Sequence, residues 1–427
     1  MIIKYALRNI RKRPVLNLIK IVGLSLGLCG VLFIALFVKN EFSYEQMHSN
    51  TDRIHRLTTT NSDFAKGNHF ARIPDSEIIP ELSEEIPEIE TAVRLMPLRD
   101  KLILKEGQHY GISQAFAVDD TFLKVFDIAF IDGNPNSALA EPDAAVISKS
   151  LAQKVFVDEN PMGKVISLPP GLYNSIETDF TVKGVMEDFA QESHLHPDLL
   201  VMPGADAISG WAYVYLLLKD KASAVGLIDK LSNKLNELYS LETDNETKAQ
   251  VHLMNIKEIH LNSNLLREIE PNGSMSNIYV LAISALILLF ISLSNFTSLN
   301  LGMAGYLTKF LALNQILGSS KRIMTHYFLV ESVIIVFLSL ALVLVFSFQL
   351  NNVVFDVYQI NLLEGNGGFA IGVILLFSLL SILAGIQPVL KNRFQNLTLG
   401  KKIQGEGTVR THKVLLISQF ALAIILL

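Results

Sequence analysis

The chain has 427 residues, of which 50% are hydrophobic and 18% charged, with a mean hydropathy of +0.36 and a formal net charge of −5. That balance excludes an ordinary soluble enzyme of this size and a disordered chain, and suits a membrane protein carrying one substantial water-facing domain. Residues 40–277 hold 20 Lys+Arg against 37 Asp+Glu, whereas the remainder holds 16 against 4. The basic residues of the remainder lie at the ends of apolar runs, which is the positive-inside pattern and not a nucleic-acid surface.

Residues 1–39 are read as an amphipathic segment followed by a first membrane span. Ile2, Ile3, Leu7 and Ile10 form one stripe, with Arg8, Arg11, Lys12 and Arg13 opposite. Ile21–Val38 is an unbroken apolar run followed by Lys39-Asn40-Glu41 in place of the small residues of a cleavage site, so a retained helix with a cytoplasmic N-terminus is expected. Gly23 and Gly27, at GxxxG spacing, suit close helix packing, with ordinary membrane-helix glycine usage as the alternative. Cys29 is the single cysteine, so no disulfide forms within the chain; its expected role is a small packing residue.

Residues 40–277 form a domain-sized insert on the outer side. Ala144–Ser148, Lys164–Leu168 and Phe180–Val185 read as strands, and Asp75–Ile86 and Ser223–Tyr239 as helices. The second helix carries a stripe of Val225, Ile228, Leu231, Leu235 and Leu238. Turns at Asp132–Pro135, Asn160-Pro161 and Pro169–Gly171 separate these pieces, giving an α+β domain that leaves room for two subdomains. His194, His196 and Asp198 have metal-ligand chemistry, but a hydrogen-bonded turn leading into a strand is the expected reading. Glu81, Glu84, Glu85, Glu88 and Glu90 read as a solvated face. Neither a phosphate-binding GxxxxGK[ST] nor a nucleophile–base constellation is present, so no enzyme, cofactor or metal site is expected.

Residues 278–390 hold three further spans: Ile278–Leu301, His326–Phe348 and Phe369–Leu390. The connection Tyr306–Thr325 carries Lys309, Lys321 and Arg322 and no acid, so it is expected to be a cytoplasmic loop. Glu331 sits inside the third run, where an ionisable group either faces a partner charge, with Lys321 or Arg322 nearby, or reaches to the interface. Residues 391–413 form a basic cytoplasmic linker. Residues 414–427 begin a fifth apolar run too short to span, so a fragment is expected.

Several separated pieces resemble one family. Ala6–Ile10 with Asn17–Gly27, Glu41–Glu45, Asp52–Arg56, Phe156–Lys164, Val185–His194 and Ile259-His260-Leu261 are similar, in order, to motifs of the FtsX-like permeases of ABC systems with a MacB-type periplasmic core domain, notably the duplicated form of Bacteroidetes. Val157 stands where that family's FGDxDPxGK-like turn has glycine. Arg410–Phe420 resembles the start of a second half, implying an intact protein of eight helices and two ectodomains. The resemblance implies an α-helical transmembrane protein of the bacterial inner membrane with an inserted, periplasmic α+β domain. It further implies a permease without its own ATPase activity, which couples a separate cytoplasmic ABC ATPase to movement of that domain. Partners would be that ATPase, membrane lipid, a periplasmic or outer-membrane protein, and a second half or copy giving a dimer or pseudo-dimer, with no nucleic acid. The coupling residues it implies are Lys309, Gly318, Ser319, Ser320, Lys321 and Arg322. The charged KEIGIRK-like segment is reduced here to Lys309, with Phe310, Ala312, Asn314 and Gln315 in the other places. A non-transporting scaffold or regulator that binds a periplasmic partner is the alternative this loss supports.

Overall fold

The computed structural model describes residues 2–60, 68–74, 76–98, 102–157, 159–169, 177–203, 210–219, 226–242, 250–316, 321–358, 361–390, 417–422 and 424. The chain divides into two compact units, Ser43–Met275 and the flanking Met1–Phe42 with Ser276–Leu427. In chain order, α1 (Ile2–Lys12) meets α2 (Pro14–Glu41) at Pro14, whose fixed φ and missing N–H suit a first helical position. The inserted unit then begins with β1 (Ile54–Thr60) and β2 (His69–Phe70). A 3₁₀ turn at Ser76–Ile78 follows, then α3 (Ile79–Glu85), β3 (Ile89–Pro97), β4 (Leu102–Lys105), β5 (Gln108–Gly111) and β6 (Ala115–Val118). Next come α4 (Phe122–Val125), β7 (Phe130–Gly133), β8 (Ala144–Ser148), α5 (Lys149–Phe156), β9 (Val165–Leu168), β10 (Thr178–Met186) and β11 (Leu199–Met202). The unit finishes with β12 (Tyr213–Leu218), α6 (Leu227–Glu242), β13 (Gln250–Asn255) and α7 (Ile256–Asn262). Then follow α8 (Met275–Ile316), α9 (Lys321–Tyr358) and α10 (Gly367–Leu390).

The strands form one hydrogen-bonded sheet in the order β13-β1-β12-β3-β6-β11-β8-β10-β9-β4-β5, with β2 on β1 and β7 on β10. Three separate hydrophobic clusters pack along this continuous sheet. β1 and β13, the first and last strands of the unit, pair antiparallel from His55↔Asn255 to Thr60↔Gln250. Strand β12 is buried on both faces because alternate side chains serve two cores. Tyr213, Tyr215 and Leu217 pack toward α4 and α7, and Val214, Leu216 and Leu218 toward α3 and α6. Helix α6 starts at Leu227 and buries Leu227, Leu231 and Leu235, while Ile228 is 38% exposed. The expected stripe was therefore one position out at Ile228; Val225 lies outside the described residues, as does the side chain of Leu238.

Val157 ends α5 at φ +47°, a left-handed conformation in which a β-branched side chain is strained, and its side chain is 74% exposed. The turn needs the glycine that the family motif supplies and this chain lacks.

Among the described residues, four helical segments are long and apolar enough to cross a membrane: Pro14–Glu41, Met275–Met303, Thr325–Asp356 and Gly367–Gln387. Their outward apolar side chains, such as Phe337, Leu344 and Leu375, are stable in hydrocarbon. The expected loop Tyr306–Thr325 is mostly helix: α8 continues to Ile316 and α9 begins at Lys321. The reason is local, since residues 306–316 hold neither glycine after Tyr306 nor proline to stop a helix already propagating from the span.

Candidate functional site

In the inserted unit, the residues just after α2 converge with the turn before β11. Glu45 adopts φ +62°, and its N–H donates to Glu192 O at 2.8 Å. This uncommon backbone aims a fully buried carboxylate at His194, whose backbone N–H and Nδ1 donate to Glu45 Oε1 at 2.6 and 2.8 Å. Ser193 Oγ donates to Oε2 at 3.4 Å, and His48 Nε2 lies 3.5 Å from the same oxygen. His194 Nε2 meets Tyr215 Oη at 2.6 Å. Burial opposes ionisation of Glu45, but the facing His194 charge and the bonds from His194 and His48 overcome it and hold the carboxyl well below its usual range. Burial pushes the Tyr215 hydroxyl far up, so it stays neutral.

A second buried charge sits on β1. The Arg56 guanidinium is fully buried and forks onto Glu268, Nη1 to Oε2 at 2.7 Å and Nη2 to Oε1 at 2.8 Å, and Nη2 also donates to Ser263 Oγ at 2.9 Å. Ser263 in turn bonds Glu268. Such planar two-point pairing is what arginine provides and lysine does not. Tyr44 stacks on His260 with ring centroids 3.4 Å apart. Asn255 caps α7 through Lys257 N at 3.1 Å while its amide donates to Thr51 O at 2.9 Å. Thus residues 44–56 are fastened to residues 255–268 by side chains as well as by the β1–β13 ladder. His196 points its two nitrogens at acceptors, Glu270 Oε1 at 2.8 Å and Ala190 O at 3.1 Å. Partial burial opposes its charge, but the Glu270 carboxylate outweighs this and raises its pKa. Asp198 accepts from Ser113 N at 2.6 Å. The expected hydrogen-bonded turn is what these residues form, and among the described residues no three His, Cys, Asp or Glu side chains cluster as metal ligands.

In the membrane unit, Glu331 on α9 is buried and pairs with Lys20 on α2 at 3.5 Å, their side chains 5% and 0% exposed. Among the described residues its partner is therefore Lys20, and the side chains of Lys321 and Arg322 lie outside them. Lys20 escapes a sequence reading that starts the span at Ile21; Pro14 at the first helical position is the signal that moves it inside the helix. Tyr327 and Phe328 pack on Ala6 of α1. Gly27 takes α8 in close contact, for a Cβ there would collide with Ser292, while Gly23 has open space beside it and its carbonyl accepts from Ser292 Oγ at 3.4 Å. Gly385 of α10 likewise receives Ser332, and no sequence motif marks it. Cys29 is buried. Of the implied coupling residues, Lys309 lies in α8 and Lys321 and Arg322 open α9, whereas Gly318, Ser319 and Ser320 lie outside the described residues.

The sequence profile of the MacB-like periplasmic core domain family matches residues 18–234. No curated protein matches. Among solved structures, a domain of a Porphyromonas gingivalis protein described as a permease is 21% identical, covering 55% of this chain and 99% of its own, with a TM-score of 0.39. The periplasmic region of MacB from Actinobacillus actinomycetemcomitans is 14% identical, covering 50% and 94%, with a TM-score of 0.37. The extracellular domain of the noncanonic ABC-type transporter YknZ from Gram-positive bacteria is 17% identical, covering 47% and 100%, with a TM-score of 0.36.

Proposed function

Because this chain belongs to the MacB-like periplasmic core domain family, with its profile spanning half of the sequence, we propose that it is the permease subunit of an ATP-driven ABC system that moves its inserted domain as a lever. The observation that carries this reading is how the chain enters and leaves that domain. The segment after α2 and the segment before α8 are fastened to each other by β1 with β13, Arg56 with Glu268, and Tyr44 on His260. A displacement of one segment against the other would have to break buried charge-assisted bonds, so a push delivered through the membrane helices moves the domain as one piece. Hydrolysis belongs to a separate ATPase on the cytoplasmic side, and the N-terminus lies on that side, in keeping with the basic residues of α1 and of 391–413. Lys309, Lys321 and Arg322 are the proposed docking cations, on helix ends and not on a loop. The charge supplied here is small, so the dock is weak unless a second half or copy shares it.

The test is co-purification of the full chain with the ATPase encoded beside it, with and without Lys309→Ala, Lys321→Ala and Arg322→Ala together. The reading predicts a complex whose affinity falls about tenfold in the triple variant. An unchanged complex would remove these residues from the dock, and no complex with any ABC ATPase would favour the scaffold alternative.

A further inference from the structure

The membrane unit holds an open-sided cavity of about 490 Å³ between α2, α8 and the helical residues 417–422. Leu24, Phe296 and Leu299 give it apolar walls. Gly23 and Gly302 open it, since a Cβ on either meets nothing within 4 Å. Three buried donors line it: Lys20 Nζ, Ser298 Oγ and Gln419 Nε2, in residues 1%, 7% and 7% exposed. Among the described residues none of these atoms has a hydrogen-bond partner, although Lys20 keeps its ion pair with Glu331.

Unused donors are costly within hydrocarbon, and the volume falls in the range of roughly 300–1,000 Å³ usual for ligand sites. An occupant with acceptor oxygens at one end and hydrocarbon at the other satisfies both the donors and the walls. Glu331 already balances the Lys20 charge, so the donors call for several acceptors more than for one strong anion. We propose that this cavity is a phospholipid site, with phosphate and ester oxygens on Lys20, Ser298 and Gln419 and the acyl chains starting along Leu24, Phe296 and Leu299. This rests on the membrane placement of the helices and on no coupling to an ATPase.

The test is native mass spectrometry of the full chain in detergent, stripped of lipid and offered phosphatidylglycerol or palmitate. One phosphatidylglycerol per chain should be retained, and palmitate about tenfold less well. The double variant Gly23→Leu with Gly302→Leu fills the space and should lower phosphatidylglycerol retention about tenfold while helical circular dichroism is unchanged. Ser298→Ala with Gln419→Leu removes two donors and should weaken retention several-fold, which keeps the test valid if the filled variant misfolds. Palmitate held as well as phosphatidylglycerol, no retained phosphatidylglycerol, or retention unchanged by the donor variant would overturn the proposal.

Discussion

The two units give their buried charges different numbers of partners. In the inserted domain, Glu45 receives donors from His194, Ser193 and His48, and Arg56 is matched by a two-point carboxylate and a serine. In the membrane unit, Lys20 and Glu331 have each other at 3.5 Å, and among the described residues the Lys20 ammonium and the second Glu331 oxygen have no hydrogen-bond partner. The difference follows from the solvent around each unit. A domain that folds in water must repay the desolvation of each ion, so its buried ions each gather several partners, although Arg56 Nε and His48 Nε2 make no hydrogen bond among the described residues. In hydrocarbon an unmet donor finds no water to replace its partner, so the bonding capacity that this ion pair leaves over calls for another occupant.

Breaking the network around Glu45 should have the largest effect. Glu45→Ala leaves His194 and Ser193 buried without their acceptor and should cost about 3–5 kcal/mol in chemical denaturation of the full chain. A loss near zero would mean the network is not what fastens the domain. Next, Lys20→Met or Glu331→Gln alone should destabilise the membrane unit by about 2 kcal/mol, and the double variant should recover much of it, a coupling of about 1–2 kcal/mol. Additive losses would show that the two side chains do not act as a pair.

Smaller still is a gain. Val157→Gly should raise stability by about 1–2 kcal/mol, because the residue sits at φ +47° with its side chain in solvent. Destabilisation there would mean that the side chain has a packing role. The smallest effect is pH dependence at His196, a third exposed, whose pair with Glu270 is worth under about 1 kcal/mol after solvent screening. Its pKa is raised, so that contribution is complete below 6.5 and fades as pH rises above it. Glu45 has the opposite sign. Its pKa is depressed, so its contribution is complete above 4.5 and is lost as pH falls. Comparing unfolding midpoints of wild type and His196→Gln between pH 6 and 9 isolates the alkaline limb, and comparing wild type with Glu45→Ala below pH 5 isolates the acid one.

The spans and the strands β8, β9 and β10 were legible because uninterrupted apolar runs and short buried strands both leave local signals. The sheet order was not, since β13 beside β1 joins residues about 200 apart that share no periodicity. At the site, the motif pieces Glu41–Glu45, Asp52–Arg56, Val185–His194 and Ile259–Leu261 were visible one by one. Their meeting around Glu45, Arg56 and Tyr44 depends on tertiary pairing and could not be read from spacing. Glu331 stood out as an acid in an apolar run, whereas Lys20 was hidden at the edge of a basic segment and Gly385 had no pattern around it. The connection between α8 and α9 misled because its charges suggested a loop, while its helix-forming composition carried the span onward.

The most direct measurement of the lever account is hydrogen exchange on the full chain bound to its ATPase, with and without ATP and vanadate. The account predicts altered exchange in the junction segments 40–50 and 263–275, with the paired amides of β1 and β13 unchanged. Identical exchange in both states, or loss of protection across the β1–β13 ladder, would contradict it.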